Sequence, residues 1–260
     1  MNAPLAGQTI WLTRAAHQSA DWARQLEQAG ATVIVEPLLA IETTSERAAA
    51  RQALARARSA DRLLATSTNA VDAAWQIMPD FEPAGQLYGV GAASADALEA
   101  AAGRAVHRPQ GAFTSEALLA MDALTDVAGL DIAILSGEGG RSLLVDTLSE
   151  RGARVEKIAL YRRLWLTPER ERLEEIAARA DTAIVTSGEA LSHLADIAST
   201  PQNAALRAAL QRCRLVAPSA RVVKQADQRL YWQHAPLIVE NISGEAIVAA
   251  LARLSTGDRQ

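Results

Sequence analysis

The sequence predicts an α/β protein built from two related modules, each a parallel sheet flanked by helices. Three observations carry this reading. Apolar runs of strand length alternate with amphipathic helical patterns along most of the 260 residues, as expected for parallel strands joined by helical crossovers. The stretch Leu130–Arg163 shows the repeating unit whole. It has a strand Asp131–Leu135, a turn Ser136–Gly140 holding three glycines, and a helix Arg141–Arg151 with Leu143, Leu144 and Leu148 on one face. Gly152 is the helix stop. The third observation is an internal repeat. TIWLTRAAHQSADWARQLEQAGATVIVE aligns with DIAILSGEGGRSLLVDTLSERGARVEKI, so that Gly30-Ala31 falls on Gly152-Ala153. ATSTNAVDAAW aligns with VTSGEALSHLA, with Thr66 on Thr186. Weaker matches join Val90–Ala95 to Val216–Ala220 and SEALLAM (from Ser115) to SGEAIVAAL (from Ser243).

Taken along the chain, Thr9–Thr13 reads as a strand, Ser19–Ala29 as a helix stopped by Gly30, and Thr32–Glu36 as a strand ended by Pro37. Pro37–Ser45 has no helical period and reads as a linker. Glu46–Ala57 is an Ala/Arg-rich helix. Strand Arg62–Ala65 leads to helix Ala70–Met78, and strand Leu87–Val90 to a helix ending near Ala101, with Gly103 as its stop. A brief strand is expected at Ala105–His107. A helix is expected at Ser115–Leu124, capped by Thr114 or Ser115. Beyond the unit at Leu130–Arg163, Leu160–Pro168 is again non-helical. Helices are then expected from Pro168 to Arg179, up to Ile197, and over Ala204–Gln211, Ser219–Gln225 and Ser243–Leu254. Strands are expected at Thr182–Val185, Arg214–Val216 and Leu237–Val239.

Composition narrows the function. A hydrophobic fraction of 49% supports a real core, and 260 residues suit one large or two small domains. A net charge of −4 argues against general nucleic-acid binding. The basic residues are nearly all Arg, which suits carboxylate or phosphate contacts; a codon bias toward Arg and Ala gives the same composition. Cys213 is the single cysteine, so no intrachain disulfide forms and a reducing, cytoplasmic setting is expected. No run approaches the length of a membrane span.

Three strand-to-helix turns carry small hydroxyl residues: Thr66-Ser67-Thr68-Asn69, Ser94 after Gly91, and Thr186-Ser187-Gly188. Each places O–H and N–H donors at the C-terminal end of a strand, where open α/β sheets bind ligands. Singly they are ordinary helix caps. Together, in repeat-related positions, they suit a ligand with several carboxylates or phosphates. The turn at Gly137, Gly139 and Gly140 suits an anion equally well, or makes only a tight connection. GVGAAS (Gly89–Ser94) lacks the third glycine of a dinucleotide fingerprint, and GEGGRS lacks the Lys of a phosphate loop. The four histidines have no metal-ligand spacing, so a catalytic metal site is not expected, and no nucleophile elbow is present. Tyr161, in ALYRRLW, could donate a proton to a leaving oxygen or could simply pack. Trp11, Trp22, Trp75, Trp165 and Trp232 read as packing anchors.

The ordered set of LTR at 12–14 with Gly30 and Pro37, TSTNAV at 66–71, VGAASA at 90–95, SEAL at 115–118, GEGGR at 137–141 with RGA at 151–153, YRR at 161–163 and TSGEAL at 186–191 resembles the uroporphyrinogen-III synthase family. The resemblance runs nearly the whole chain. It implies two α/β domains joined by two extended linkers, with a cleft between them. Mapped here, these are 1–37 plus 166–260, and 42–160, with linkers 38–41 and 161–165. It implies a cofactor-free enzyme that converts the linear tetrapyrrole hydroxymethylbilane into uroporphyrinogen III, losing water, closing the ring and inverting ring D. Tyr161 matches the tyrosine proposed in the family to assist departure of the hydroxyl. The substrate, which carries eight carboxylates, is then expected to bind at Arg14, Thr66, Ser67, Asn69, Ser94, Ser115, Gly137, Glu138, Gly139, Arg141, Thr186, Ser187, Gly188 and Ser219. Ser94 stands where many members have Thr, and Ala217-Pro218-Ser219 replaces a more usual Gly-containing turn. A monomer is expected, with substrate handed over by hydroxymethylbilane synthase and no nucleic-acid or membrane partner. The competing readings are a non-catalytic binding or regulatory module of the same fold, and a nucleotide-dependent enzyme using GVGAAS.

Overall fold

The structure, a computed structural model, describes residues 3–111, 114–140, 142–226, 229–240 and 242–257. The chain begins with β1 (Thr9–Leu12), α1 (Ala16–Gln28) and β2 (Thr32–Val35). Gly30 makes the turn from α1 to β2 at φ +97°, and a Cβ there would lie 2.5 Å from that of Ala3. Glycine is therefore required both by conformation and by space. There follow β3 (Leu39–Thr43), α2 (Arg47–Ala57), β4 (Arg62–Ala65), α3 (Thr68–Ile77), β5 (Gln86–Gly89), α4 (Ala92–Ala102) and α5 (Ser115–Leu119). Then come β6 (Asp131–Gly137), α6 (Leu143–Glu150) and β7 (Arg154–Trp165). The chain finishes with α7 (Arg170–Arg179), β8 (Thr182–Ile184), α8 (Gly188–Ser199), α9 (Ala204–Arg212), β9 (Arg214–Ala217), α10 (Ala220–Ala226), β10 (Leu237–Ile238) and α11 (Gly244–Gly257).

Three local expectations are corrected. The helix expected over Ser115–Leu124 ends at Leu119, because Met121 is extended (φ −67°, ψ 133°); a separate 3-10 turn covers Asp122–Leu124. The strand expected at Ala105–His107 is a single bridge from His107 to Tyr88. The two segments read as non-regular are strands: Leu39–Thr43 is β3, and Tyr161–Trp165 is the last part of β7.

The chain divides into two compact units, Met1–Ala40 with Leu164–Gln260, and Ile41–Arg163. The first holds a sheet of order β10-β9-β8-β1-β2, and the second a sheet of order β3-β7-β6-β4-β5. β1 pairs in parallel with β2 and β8, and β9 with β8 and β10. In the second sheet β4 pairs in parallel with β5 and β6, and β6 with β7. The two orders superimpose when β1 is matched to β6, β2 to β7, β8 to β4 and β9 to β5. The internal repeat is thus real but permuted: the first unit opens on the strand–helix–strand with which the second unit closes.

Both sheets are buried on both faces, as parallel sheets are. Alternate residues supply separate cores. Trp11, Ala183, Leu215 and Ala217 pack with α7, α8 and α9. Ile10, Leu12, Ile184 and Val216 pack with α1 and α11. In the second unit Leu63, Leu87, Ala133 and Leu135 meet α2 and α3, whereas Leu64, Tyr88, Ile132 and Ile134 meet α5 and α6.

Candidate functional site

Counted along the first unit, the strand order is 2-1-3-4-5, which reverses direction between β1 and β8. The matched reversal in the second unit lies between β6 and β4. In such sheets the crossovers leave in opposite directions at this point, opening a crevice at the strands' C-terminal ends. The residues there are Thr13-Arg14 and Thr186-Ser187 in one unit, and Gly137-Glu138 and Thr66-Ser67 in the other.

In the second unit these residues form a connected set around Tyr161. The β6–β7 register slips between Ser136 and Gly137. Ser136 faces Ala159, and Gly137 faces Tyr161. This bulge puts Leu160 and Tyr161, adjacent in sequence, into one core cluster, and Tyr161 is only 4% exposed. Its ring lies against the Gly137 backbone. Its hydroxyl is 3.2 Å from Ser67 Oγ, which in turn accepts the Ala70 N–H and caps α3. Thr66 is tied to β6 through its hydroxyl, which donates to the Leu135 carbonyl at 3.0 Å. The Glu138 N–H donates to the Tyr161 carbonyl at 2.7 Å. The Glu138 side chain accepts a 3.0 Å hydrogen bond from the buried Thr44 hydroxyl. Gly139 is in the left-handed region at φ +70°, and its carbonyl accepts from Lys157 Nζ. Asn69 lies in the first turn of α3.

Two expected contacts stand apart from this set. The Ser94 hydroxyl folds back on its own turn, accepting from Gly91 N–H at 3.0 Å and donating to the Gly91 carbonyl at 2.9 Å, and the side chain is buried. Ser115 opens α5, whose cap is Thr114. Arg141 lies outside the described residues. Asp131, at the other end of β6, is engaged by Arg154 at 2.6 Å, and this bond holds its carboxyl below the usual carboxylate range.

In the first unit Thr13 is buried, and its hydroxyl donates to the Ile184 carbonyl at 2.8 Å, tying β1 to β8. Arg14 follows. Its guanidinium sits 4.1 Å above the Trp22 ring, and Nη2 donates to Gln18 Oε1 at 3.2 Å. Arg14 Nε is buried with no partner among the described residues. Burial lowers its pKa from the ordinary value, and it stays a cation. Trp22 is therefore a platform for Arg14, not only a packing anchor. Trp165 is also more than an anchor: it is 41% exposed and its ring contacts that of His193. Ser187 accepts the Ala190 N–H at 3.1 Å and caps α8, whose first residue is Gly188. Thr186 is half-buried beside it. Ser219 meets the Val222 N–H at 3.4 Å.

Ser67 and Ser187 are thus equivalent caps at equivalent turns. Each opens a helix of at least ten residues whose N-terminal amides face the strand ends, a setting suited to carboxylates. Neither Thr13 nor Thr44 was among the expected contacts, although both are buried hydroxyls that fix the strand ends. Among the described residues no cluster of His, Cys, Asp and Glu could hold a metal, and no helix is long and apolar enough to cross a membrane.

The sequence model of the family described as uroporphyrinogen-III synthase HemD matches residues 20–235. The uroporphyrinogen-III synthase of Escherichia coli K12 is 29% identical over 255 residues, covering 94% of this chain and 99% of its own length. That of Salmonella typhimurium LT2 is 33% identical over 179 residues, 68% of either chain. Among solved structures, a mutant uroporphyrinogen III synthase from the extremely thermophilic bacterium Thermus thermophilus aligns with a TM-score of 0.61 at 25% identity. It covers 97% of this chain and 100% of that one. Uroporphyrinogen-III synthetase from Helicobacter pylori 26695 shares the fold at a TM-score of 0.55 and 14% identity, covering 95% and 99%. With this match across most of its length, on a fold whose strand ends gather the expected turns, the chain belongs to the uroporphyrinogen-III synthase family.

Proposed function

We propose that this chain closes hydroxymethylbilane to uroporphyrinogen III, with loss of water and inversion of ring D. The observation that carries the proposal is the family match over residues 20–235. The geometry around Tyr161 supports a chemical role for that residue. In this reading the Tyr161 hydroxyl, held by Ser67, gives its proton to the departing hydroxyl. The C–O bond breaks, water leaves, and an azafulvene cation remains. Ring D attacks through its substituted carbon, and the spiro intermediate rearranges. The proton lost when the ring recovers aromaticity balances the one given. No cofactor takes part.

The carboxylates of the substrate go to the N-termini of α3 and α8 and to Arg14, whose buried Nε–H has no partner among the described residues. The domains are 1–37 with 166–260, and 42–160, and each carries one pair of turns at its own strand ends. The chain works as a monomer in the cytoplasm and takes substrate from hydroxymethylbilane synthase, because the free bilane closes spontaneously to isomer I. The test is direct: supply hydroxymethylbilane, oxidise the product and separate the isomers. Isomer III is expected; isomer I alone would end this reading.

A further inference from the structure

We infer that Thr44 and Glu138 form a second working pair for the same reaction, in which Thr44 holds the Glu138 carboxylate where positive charge develops on the substrate. This inference rests on the function proposed above. It starts from an oddity. Glu138 sits at the C-terminal end of β6, in the crevice position, and its side chain is exposed. Among the described residues it has no cationic partner. It accepts a hydrogen bond from a neutral hydroxyl, Thr44 Oγ1, at 3.0 Å. It stands in a site meant for a ligand with many carboxylates of its own.

The hydroxyl that holds it is itself fixed. Thr44 is 3% exposed. Its N–H donates to the Leu160 carbonyl at 2.9 Å, fastening it beside the bulge that aims Tyr161. Its oxygen accepts the Glu46 N–H at 3.3 Å, so its own hydrogen is left for Glu138. Glu138 is fastened to the same place from the other side, through its N–H on the Tyr161 carbonyl. The carboxylate therefore branches from the residue next to the glycine that the Tyr161 ring touches.

A fixed carboxylate in such a position repels the substrate's own carboxylates in the ground state. It is attractive to two other features of the same molecule: its pyrrole N–H donors and the cation formed when the hydroxyl leaves. The cation exists only on the way to product. Stabilising it lowers the barrier without tightening substrate binding. On this reading Glu138 faces the substrate and Thr44 is a positioning residue.

The test compares the steady-state kinetics of wild type, Glu138→Gln, Thr44→Val and Thr44→Ser, with thermal melting of each. Glu138→Gln keeps the shape and an acceptor oxygen but removes the charge. Its kcat should fall about tenfold or more, with KM unchanged or lower because repulsion is relieved. Thr44→Val should lower kcat in the same direction but by less, and Thr44→Ser should restore it. In the Glu138→Gln background Thr44→Val should add no further loss in kcat, whereas a purely structural role would add its full effect. Wild-type kcat in Glu138→Gln, or a loss in KM alone, overturns the inference. Because Glu138 is exposed, that variant decides the matter even if Thr44→Val fails to fold. Failure of the wild-type chain to make isomer III sinks the proposed function instead, so the two outcomes are distinguishable.

Discussion

The Tyr161 ring leaves no room for a side chain at Gly137, and Gly137→Ala tests what that packing does. A Cβ at this position would lie 2.7 Å from Tyr161 Cζ, 2.9 Å from Cε2 and 3.0 Å from Cε1. Carbon atoms in contact prefer about 3.5–4.0 Å, so the methyl group and the ring overlap by roughly an ångström. The backbone at Gly137 is outside the left-handed region, so only the ring opposes the substitution. Tyr161 is buried and pinned at Ser67, so it has little room to give. Overpacking of this kind costs about 1–3 kcal/mol, or roughly 3–10 °C in the melting transition that reports the second unit. A displacement of about 1 Å at a reacting group lowers turnover by about a hundredfold. Calorimetry and the isomer-III assay read the two effects separately. Placing Gly137→Ala in a Tyr161→Leu background removes the ring atoms that clash, so the substitution should then cost little further stability. Unchanged melting and turnover in the single variant, or an equal loss in both backgrounds, would refute the argument.

Other outcomes follow from the same geometry. Tyr161→Phe removes the bond to Ser67, costing about 1 kcal/mol of stability, and should lower kcat far more than it weakens product binding; unchanged turnover removes Tyr161 from the chemistry. Ser67→Ala and Ser187→Ala each lose a helix cap, worth about 1 kcal/mol by urea denaturation. Ser67→Ala should also slow turnover by freeing the Tyr161 hydroxyl, and a variant with full stability would contradict the capping role. Cys213 is buried, and burial pushes its thiol up to about 11. The unfolded chain ionises this thiol at lower pH, so its contribution to stability is complete below about pH 8.5 and is lost as pH rises toward 11. Cys213→Ala should flatten that part of the stability–pH curve. The native thiol should also resist a disulfide reagent at about pH 8, and labelling at the unfolded rate would contradict its burial.

Much of the fold was legible because it depends on local signals. The apolar run Arg62–Ala65 and the glycine stops at Gly30, Gly103 and Gly152 need no tertiary information. The repeat also foretold that Ser67 and Ser187 would occupy equivalent turns. Other features depend on partners distant in sequence. β3 is an edge strand of mostly half-buried residues, so its pattern shows no clean alternation and it reads as a connector. The side on which Tyr161 faces is set by one inserted residue in the pairing of β7 with β6, and nothing in ALYRR announces a bulge. Thr44 lies 94 residues from Glu138, among other hydroxyl residues that look alike in sequence. Ser94 misleads in the other direction. In the sequence its hydroxyl looks available, and the structure uses both its donor and its acceptor capacity on Gly91.

The permuted order of the two sheets also sets a timetable for synthesis. β1 acquires β2 almost at once, but its other neighbour is β8, where Ile10 pairs with Thr182. All of Ile41–Arg163 must be translated in between. At about 5–20 residues per second this is a wait of several seconds to half a minute. During that time the intervening unit, whose strands are contiguous in the chain, can complete its own sheet. The N-terminal strands meanwhile present the unpaired side of β1, an apolar edge of the kind that captures other chains. The nascent chain is thus most vulnerable at β1, and a ribosome stalled just before Thr182 would hold it in that state.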